Sequence, residues 1–161
     1  MISTIVERPK AITENLEIRK VILGIEDMIS KMPDAKFGDC FPLKHSFADG
    51  VYVREIFIPK GYILTGKIHR HSHPNFLMSG DVSVMTEEGT KRIQGPLSMI
   101  SPAGTKRVVF AHTDTVWITV HVTNETDLSK IELEVISPNY ENLLQDNHGN
   151  MDIKKLVEGE Q

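Results

Sequence analysis

Cysteine is almost absent: Cys40 stands alone among 161 residues, which rules out an internal disulfide and suits a reducing compartment. Long hydrophobic runs are missing too, and none approaches the roughly 18–20 residues that a membrane-spanning helix needs. The stretch Met1-Ile-Ser-Thr-Ile-Val-Glu-Arg8 has no charged segment followed by an apolar one, as a secretory leader would. Basic clusters are no longer than pairs, such as Lys91-Arg92 and Lys106-Arg107, and 18 Lys and Arg against 22 Asp and Glu leave a net charge of −4. A protein that reads a nucleic-acid backbone gathers cations on one face, so no nucleic acid is expected as a partner. Gly-x-Gly and Gly-Lys-Ser/Thr do not occur, which removes the usual phosphate-cradling loops. These absences set the expectation of a cytoplasmic protein with no membrane contact.

The residues that are present divide into three parts. Residues 1–40 read as a helical segment that packs on the strand-rich part after it. Ile18, Ile22, Ile25 and Ile29 recur at spacings of four, three and four, one stripe of a helix. Thr13 suits an N-cap and Pro33 a stop, while Gly24 leaves two shorter helices open as an alternative. Residues 41–137 run as short apolar-rich segments broken every eight to twelve residues by turn signals such as Pro59-Lys60-Gly61, Ser79-Gly80, Glu87-Glu88-Gly89, Gly95-Pro96 and Pro102-Ala103-Gly104. Many short strands at that spacing predict an all-β sandwich or barrel, with 131–136 as its last strand. Residues 138–161 form a C-terminal part, with a helical turn at 140–145 and a charged tail expected to fray.

The chemistry concentrates in Gly66-Lys67-Ile68-His69-Arg70-His71-Ser72-His73-Pro74-Asn75, closing on Ser79-Gly80-Asp81. This stretch resembles the first motif of the cupin superfamily: a His-x-His pair, an acid four residues on, then a glycine turn. Pro102-Ala103-Gly104, followed by a cationic residue at Arg107, resembles the second motif. Ser101 to Arg107, with Asp114-Thr115-Val116-Trp117 and His121, is also similar to small cupin-like proteins of tailed bacteriophages. The resemblance implies a single double-stranded β-helix (jelly-roll) barrel, a homodimer, and host cytoplasm as the location if the protein is phage-encoded. Two registers fit. Counting back from Gly80 puts His73 at the glutamate position, His69 at the second histidine, Lys67 at the first and Arg107 at the third. Reading His69-x-His71 as the pair instead puts Asn75 at the acid position. The first keeps the spacing to the glycine turn and is preferred; both leave the family's ligand set incomplete.

Strand alternation narrows the set. Trp117, Thr119 and His121 share one face, and Val116, Ile118, Val120 and Val122 the other. A purely aliphatic face ordinarily turns to the core, but in a barrel the mixed face can line a cavity. In that case His69, His73 and His121 converge as ligands for one divalent transition metal (Fe, Mn, Ni or Zn). Lys67, Arg107 and Thr119 would then receive a small anionic molecule. Three readings are compatible with this pattern: a metal-dependent isomerase, lyase or dioxygenase, a metal-free module that sequesters an anionic metabolite or nucleotide-like signal, or a virion or assembly protein. His45, His112 and His148 read as surface residues, Cys40 as a buried inert thiol, and Asp81, Glu87 and Glu88 as turn residues.

Overall fold

A computed structural model describes the backbone of residues 8–142 and the side chains of residues 16–142. His148 and the charged tail lie outside the described residues. One helix, α1 (Arg8–Ser30), comes first, followed by an irregular strap over residues 31–42. The strands are β1 (Leu43–Ala48), β2 (Val51–Ile58), β3 (Ile63–Thr65), β4 (Ile68–His69), β5 (His73–Ser79), β6 (Asp81–Thr86), β7 (Gly89–Gln94), β8 (Leu97–Ser101), β9 (Val108–Ala111) and β10 (Thr115–Val122). A short helix, α2 (Leu128–Val135), and a two-residue strand, β11 (Ile136–Ser137), complete the order.

The strands form two antiparallel sheets, one in the order β1-β2-β10-β5-β8 and one in the order β3-β9-β6-β7, with β4 and β11 paired apart from them. Ile58, Leu77 and Trp117 of the first sheet meet Val82, Val84, Val109 and Ala111 of the second in one buried cluster. The all-β expectation therefore holds.

The helix differs from its sequence reading in two ways. It begins at Arg8, so Thr13 lies within it, and it runs through Gly24 without a break. The isoleucine stripe does face inward: Ile22 is fully buried and Ile18, Ile25 and Ile29 are half-buried. Two polar clamps hold α1 to the barrel. Glu26 accepts from Lys106 Nζ at 2.6 Å and from Thr65 Oγ1 at 2.7 Å. Arg19 lies 3.5 Å from Glu87, and its guanidinium stands 4.5 Å from the centre of the Tyr140 ring. Glu87 is thus a helix anchor as well as a turn residue.

The expected last strand at 131–136 is instead helix α2 up to Val135. Asp127 caps it, accepting from the Ser129 and Lys130 amides. Ile131 and Val135, four residues apart, are its buried face against Tyr52. The apolar run there reads equally well at period two or at period 3.6, and the cap decides it.

Gly80 joins β5 to β6 with φ +112°, and a Cβ there would lie 2.3 Å from Thr115 Oγ1 and 2.9 Å from Thr115 Cα. Left-handed backbone and contact with main-chain atoms both exclude a side chain. Gly80→Ala is expected to cost about 2–4 kcal/mol, read from the midpoint of urea unfolding. A cost under about 1 kcal/mol would mean that the turn relaxes freely.

Candidate functional site

The antiparallel register puts the inner face of the large sheet on view. Directly opposed residues share a face, and the pairs Tyr52↔His121, Arg54↔Thr119 and Ile56↔Trp117 join β2 to β10. On the other side of β10, Thr119 opposes Asn75 and Trp117 opposes Leu77 of β5. Residues 73, 75 and 77 are buried while 76 and 78 are exposed. The mixed Trp-Thr-His face is therefore the inner one. The aliphatic face points out, and Val122 is 86% exposed.

A cavity of about 840 Å³ opens between this face, α1, α2 and the strap. Its apolar wall includes Ile56, Ile58, Leu64, Val109, Trp117 and Ile131, and its polar wall His45, Tyr52, Arg54, His69, Arg107, Thr119 and His121. Lys106 and Glu26 also line it, but they are paired with each other.

The three sequence-selected histidines do come together. Ring centroids lie 4.3 Å apart for His69 and His73, 4.9 Å for His73 and His121, and 5.5 Å for His69 and His121. His69 sits on β4 and His73 opens β5, so the chain bends between them at residues 70–72. His71, the second histidine of the alternative register, is exposed and does not line the cavity. Pro74 lies within β5 and pairs with Ile100 of β8.

Arg107 organises the floor. Its Nη2 donates to His73 Nε2 at 3.1 Å, Asn75 Oδ1 at 2.9 Å and Ser101 Oγ at 2.9 Å. The guanidinium also stands 5.2 Å from the centre of the Trp117 ring. All these partners are neutral, and among the described residues no carboxylate lies within ion-pair distance of Arg107. Burial, opposed in part by the field of Glu87, lowers its pKa to about 10, so it remains a cation at neutral pH.

His73 is used at both ring nitrogens. Nδ1 faces the carbonyl of His71 at 3.1 Å and must carry the proton, which leaves Nε2 as acceptor for Arg107. His69 Nδ1 faces the Thr105 carbonyl at 3.4 Å, leaving its Nε2 free. Three free lone pairs therefore do not point at one centre. Among the described residues no group of three or more His, Cys, Asp or Glu side chains is arranged to hold a metal ion. The residues as arranged do not fit a three-histidine metal centre.

The other sequence candidates separate. Lys67 lies at the cavity rim, paired with Glu132 of α2 and half-exposed. Thr119 is buried on the inner face between Arg54 and Asn75. His45 is not a surface residue: it lines the cavity, with Nδ1 2.8 Å from the Tyr52 hydroxyl. Cys40 is exposed at the mouth rather than buried. His112 lies off the cavity, 2.7 Å from Ser83 Oγ. Asp81 receives a two-pronged contact from Arg92. Sequence reasoning passed over Tyr52 and Arg54. Once β2 is paired with β10, they are the residues opposite His121 and Thr119.

Burial lowers the pKa of His121 from 6.5 to about 4, helped by the fields of His73, Arg54 and Arg107. Burial likewise lowers His69, to about 2, and His73. A histidine with a depressed folded pKa is protonated more readily in the unfolded chain, so stability rises with pH across the gap. It should be complete above about pH 6.5 and fall steadily toward pH 4, by up to about 3 kcal/mol from His121 alone. Urea unfolding between pH 8 and 4 reads this, and His121→Gln should make the acid limb shallower, with His69 and His73 supplying the rest. A wild-type curve level down to pH 4.5 would contradict it.

No family model and no curated protein matches the sequence. Solved structures do match. Ectoine synthase from P. lautus is 14% identical over 70% of this chain and 86% of its own, with a TM-score of 0.50. A cupin domain from Bordetella pertussis Tohama I is 20% identical over 52% of this chain and 93% of its own, at 0.42. KdgF from Halomonas sp. is 15% identical over 57% and 86%, at 0.46. At such identities a likeness speaks for the fold alone. Two facing antiparallel sheets, with the polar inner face of one opening into a cavity, agree with it: the chain folds as a cupin-type β-barrel.

Proposed function

We propose that the barrel cavity binds a small organic anion without a metal ion, with Arg107 as the counter-charge. The observation that carries this reading is a guanidinium in the cavity wall surrounded only by neutral acceptors. A partly buried cation without a carboxylate is costly, and an anionic ligand would supply the missing partner. Neutral imidazoles at His69 and His121 add hydrogen-bonding capacity without competing negative charge. The apolar wall of Ile56, Ile58, Leu64, Val109 and Ile131 suits a ligand with a hydrocarbon or ring body. Lys67 contributes at most at the rim, where Glu132 already holds it.

Titrating a panel of organic acids and phosphate esters into metal-stripped protein tests the reading. At least one should raise the melting temperature and bind measurably by calorimetry. Arg107→Gln should weaken that binding about 10- to 100-fold, equivalent to a charge-assisted hydrogen bond of about 1.5–3 kcal/mol. Unchanged affinity in Arg107→Gln would remove the reading.

One observation favours a metal-dependent alternative, the approach of three imidazoles to within 5.5 Å of each other. It requires Arg107 to release His73 Nε2. On that alternative the full-length chain would hold about one Fe, Mn, Ni or Zn ion, lost in His69→Ala and His121→Ala, and Arg107→Gln would strengthen metal binding. Elemental analysis of protein purified without a histidine tag separates the two.

A further inference from the structure

Arg54 is a second cation on the inner face of the large sheet, and the Arg107 network at the floor does not use it. It opposes His45 of β1 on one side and Thr119 of β10 on the other. Thr119 in turn opposes Asn75, the residue that holds Arg107. Arg54 and Asn75 therefore stand two strand spacings apart, about 10 Å between backbones, with Thr119 between them.

Four other charges that line the cavity are committed in pairs. Glu26 pairs with Lys106 at 2.6 Å, and Lys67 pairs with Glu132. Arg54 has only a single 3.4 Å contact from Nη2 to Oδ1 of Asp39, whose side chain is 65% exposed. Asp39 follows Gly38 on the strap, where φ is +71°. The strap also leans on Tyr62 through Phe41, with ring centroids 5.2 Å apart. A long one-pronged contact to a solvated carboxylate is weak, so a better-placed acid can displace it.

Building on the anion-binding reading of the same cavity, we infer that its ligand is a dianion with two acidic groups on a short spacer. One group pairs with Arg107 at the floor, and the other takes Arg54 from Asp39. Two arginines either side of Thr119 select for the spacing between the acids, and the apolar wall receives the spacer. Displacing Asp39 also releases the strap's only ion pair to the sheet among the described residues, so ligand entry and strap movement are coupled.

The probes are the straight-chain dicarboxylates from succinate to suberate and monocarboxylates of matching length, titrated by calorimetry into the full-length chain. Wild type should bind its best dicarboxylate at least about tenfold more tightly than the matching monocarboxylate, as expected for an added charge-assisted contact. Arg54→Gln should abolish that preference while monocarboxylate affinity stays within about twofold. Asp39→Asn, which removes the competitor, should tighten dicarboxylate binding and leave monocarboxylates unchanged. Melting temperatures of both variants confirm that they are folded. Equal wild-type affinity for mono- and dicarboxylates, both lost in Arg107→Gln, would overturn the dianion and leave the anion site standing. A dicarboxylate preference that survives Arg54→Gln would also overturn it. Failure of every carboxylate to bind would overturn the dianion reading, while the anion site would stand or fall on the phosphate esters.

Discussion

The arrangement of the pocket turns on the carboxamide of Asn75, which is completely buried and fully satisfied. Its Nδ2 donates to the His73 carbonyl and to Ser101 Oγ, and its Oδ1 accepts from Arg107 and from Trp117 Nε1. A buried amide tolerates no missing partner, so these four contacts position one another. They fix the amide's orientation, since only the oxygen can receive two donors. They tie β5 to β8 and β10 within the large sheet, and through Arg107 they reach the segment that leads into β9 of the other. The cation at the cavity floor is held in place by the packing of the barrel and not by an opposing charge.

That arrangement explains why the histidines stay neutral. Desolvation dominates for all three, and the Arg107 cation beside them works in the same direction. Proton uptake at the floor would put like charges within a few ångströms of each other, in a place where water screens them poorly. An anion entering there would reverse the sign of the local field and raise the same pKa values. Ligand binding and protonation are therefore linked by the geometry of the floor, whichever acid enters.

The barrel was legible because turn residues at regular intervals leave few alternatives to a two-sheet fold. The convergence of His69, His73 and His121 was legible for a simpler reason: alternation on β10 fixes which of its residues travel together. What alternation cannot supply is which strand lies next to which. His45, Tyr52 and Arg54 enter the site only through the pairing of β1, β2 and β10, and the pairs Tyr52↔His121 and Arg54↔Thr119 join residues more than 60 positions apart. The helix at 128–135 was missed because Ile131 and Val135 suit either period, and the deciding feature is the Asp127 cap. The exposure of Cys40 follows from its place on the irregular strap, where thiol hydrophobicity has no packed surface to join.

The inverted face of β10 shows how the site constrains the whole barrel. Four aliphatic residues, Val116, Ile118, Val120 and Val122, point outward, and burying them would have been favourable at about 25 cal/mol per Å². Turning the strand over would, however, place Trp117, Thr119 and His121 outside and break the indole contact to Asn75. Since a register slip of one residue flips every side chain, the two outcomes are exclusive. The polar contacts win because losing them would leave Asn75 Oδ1 and the Arg107 guanidinium underserved in a closed interior, a cost of about 1–3 kcal/mol for each unsatisfied group and more for the charged one. The aliphatic face is only partly uncovered in compensation, since Val116, Ile118 and Val120 remain half-buried. The strand's orientation is thus set by the same polar node that places the cation at the cavity floor.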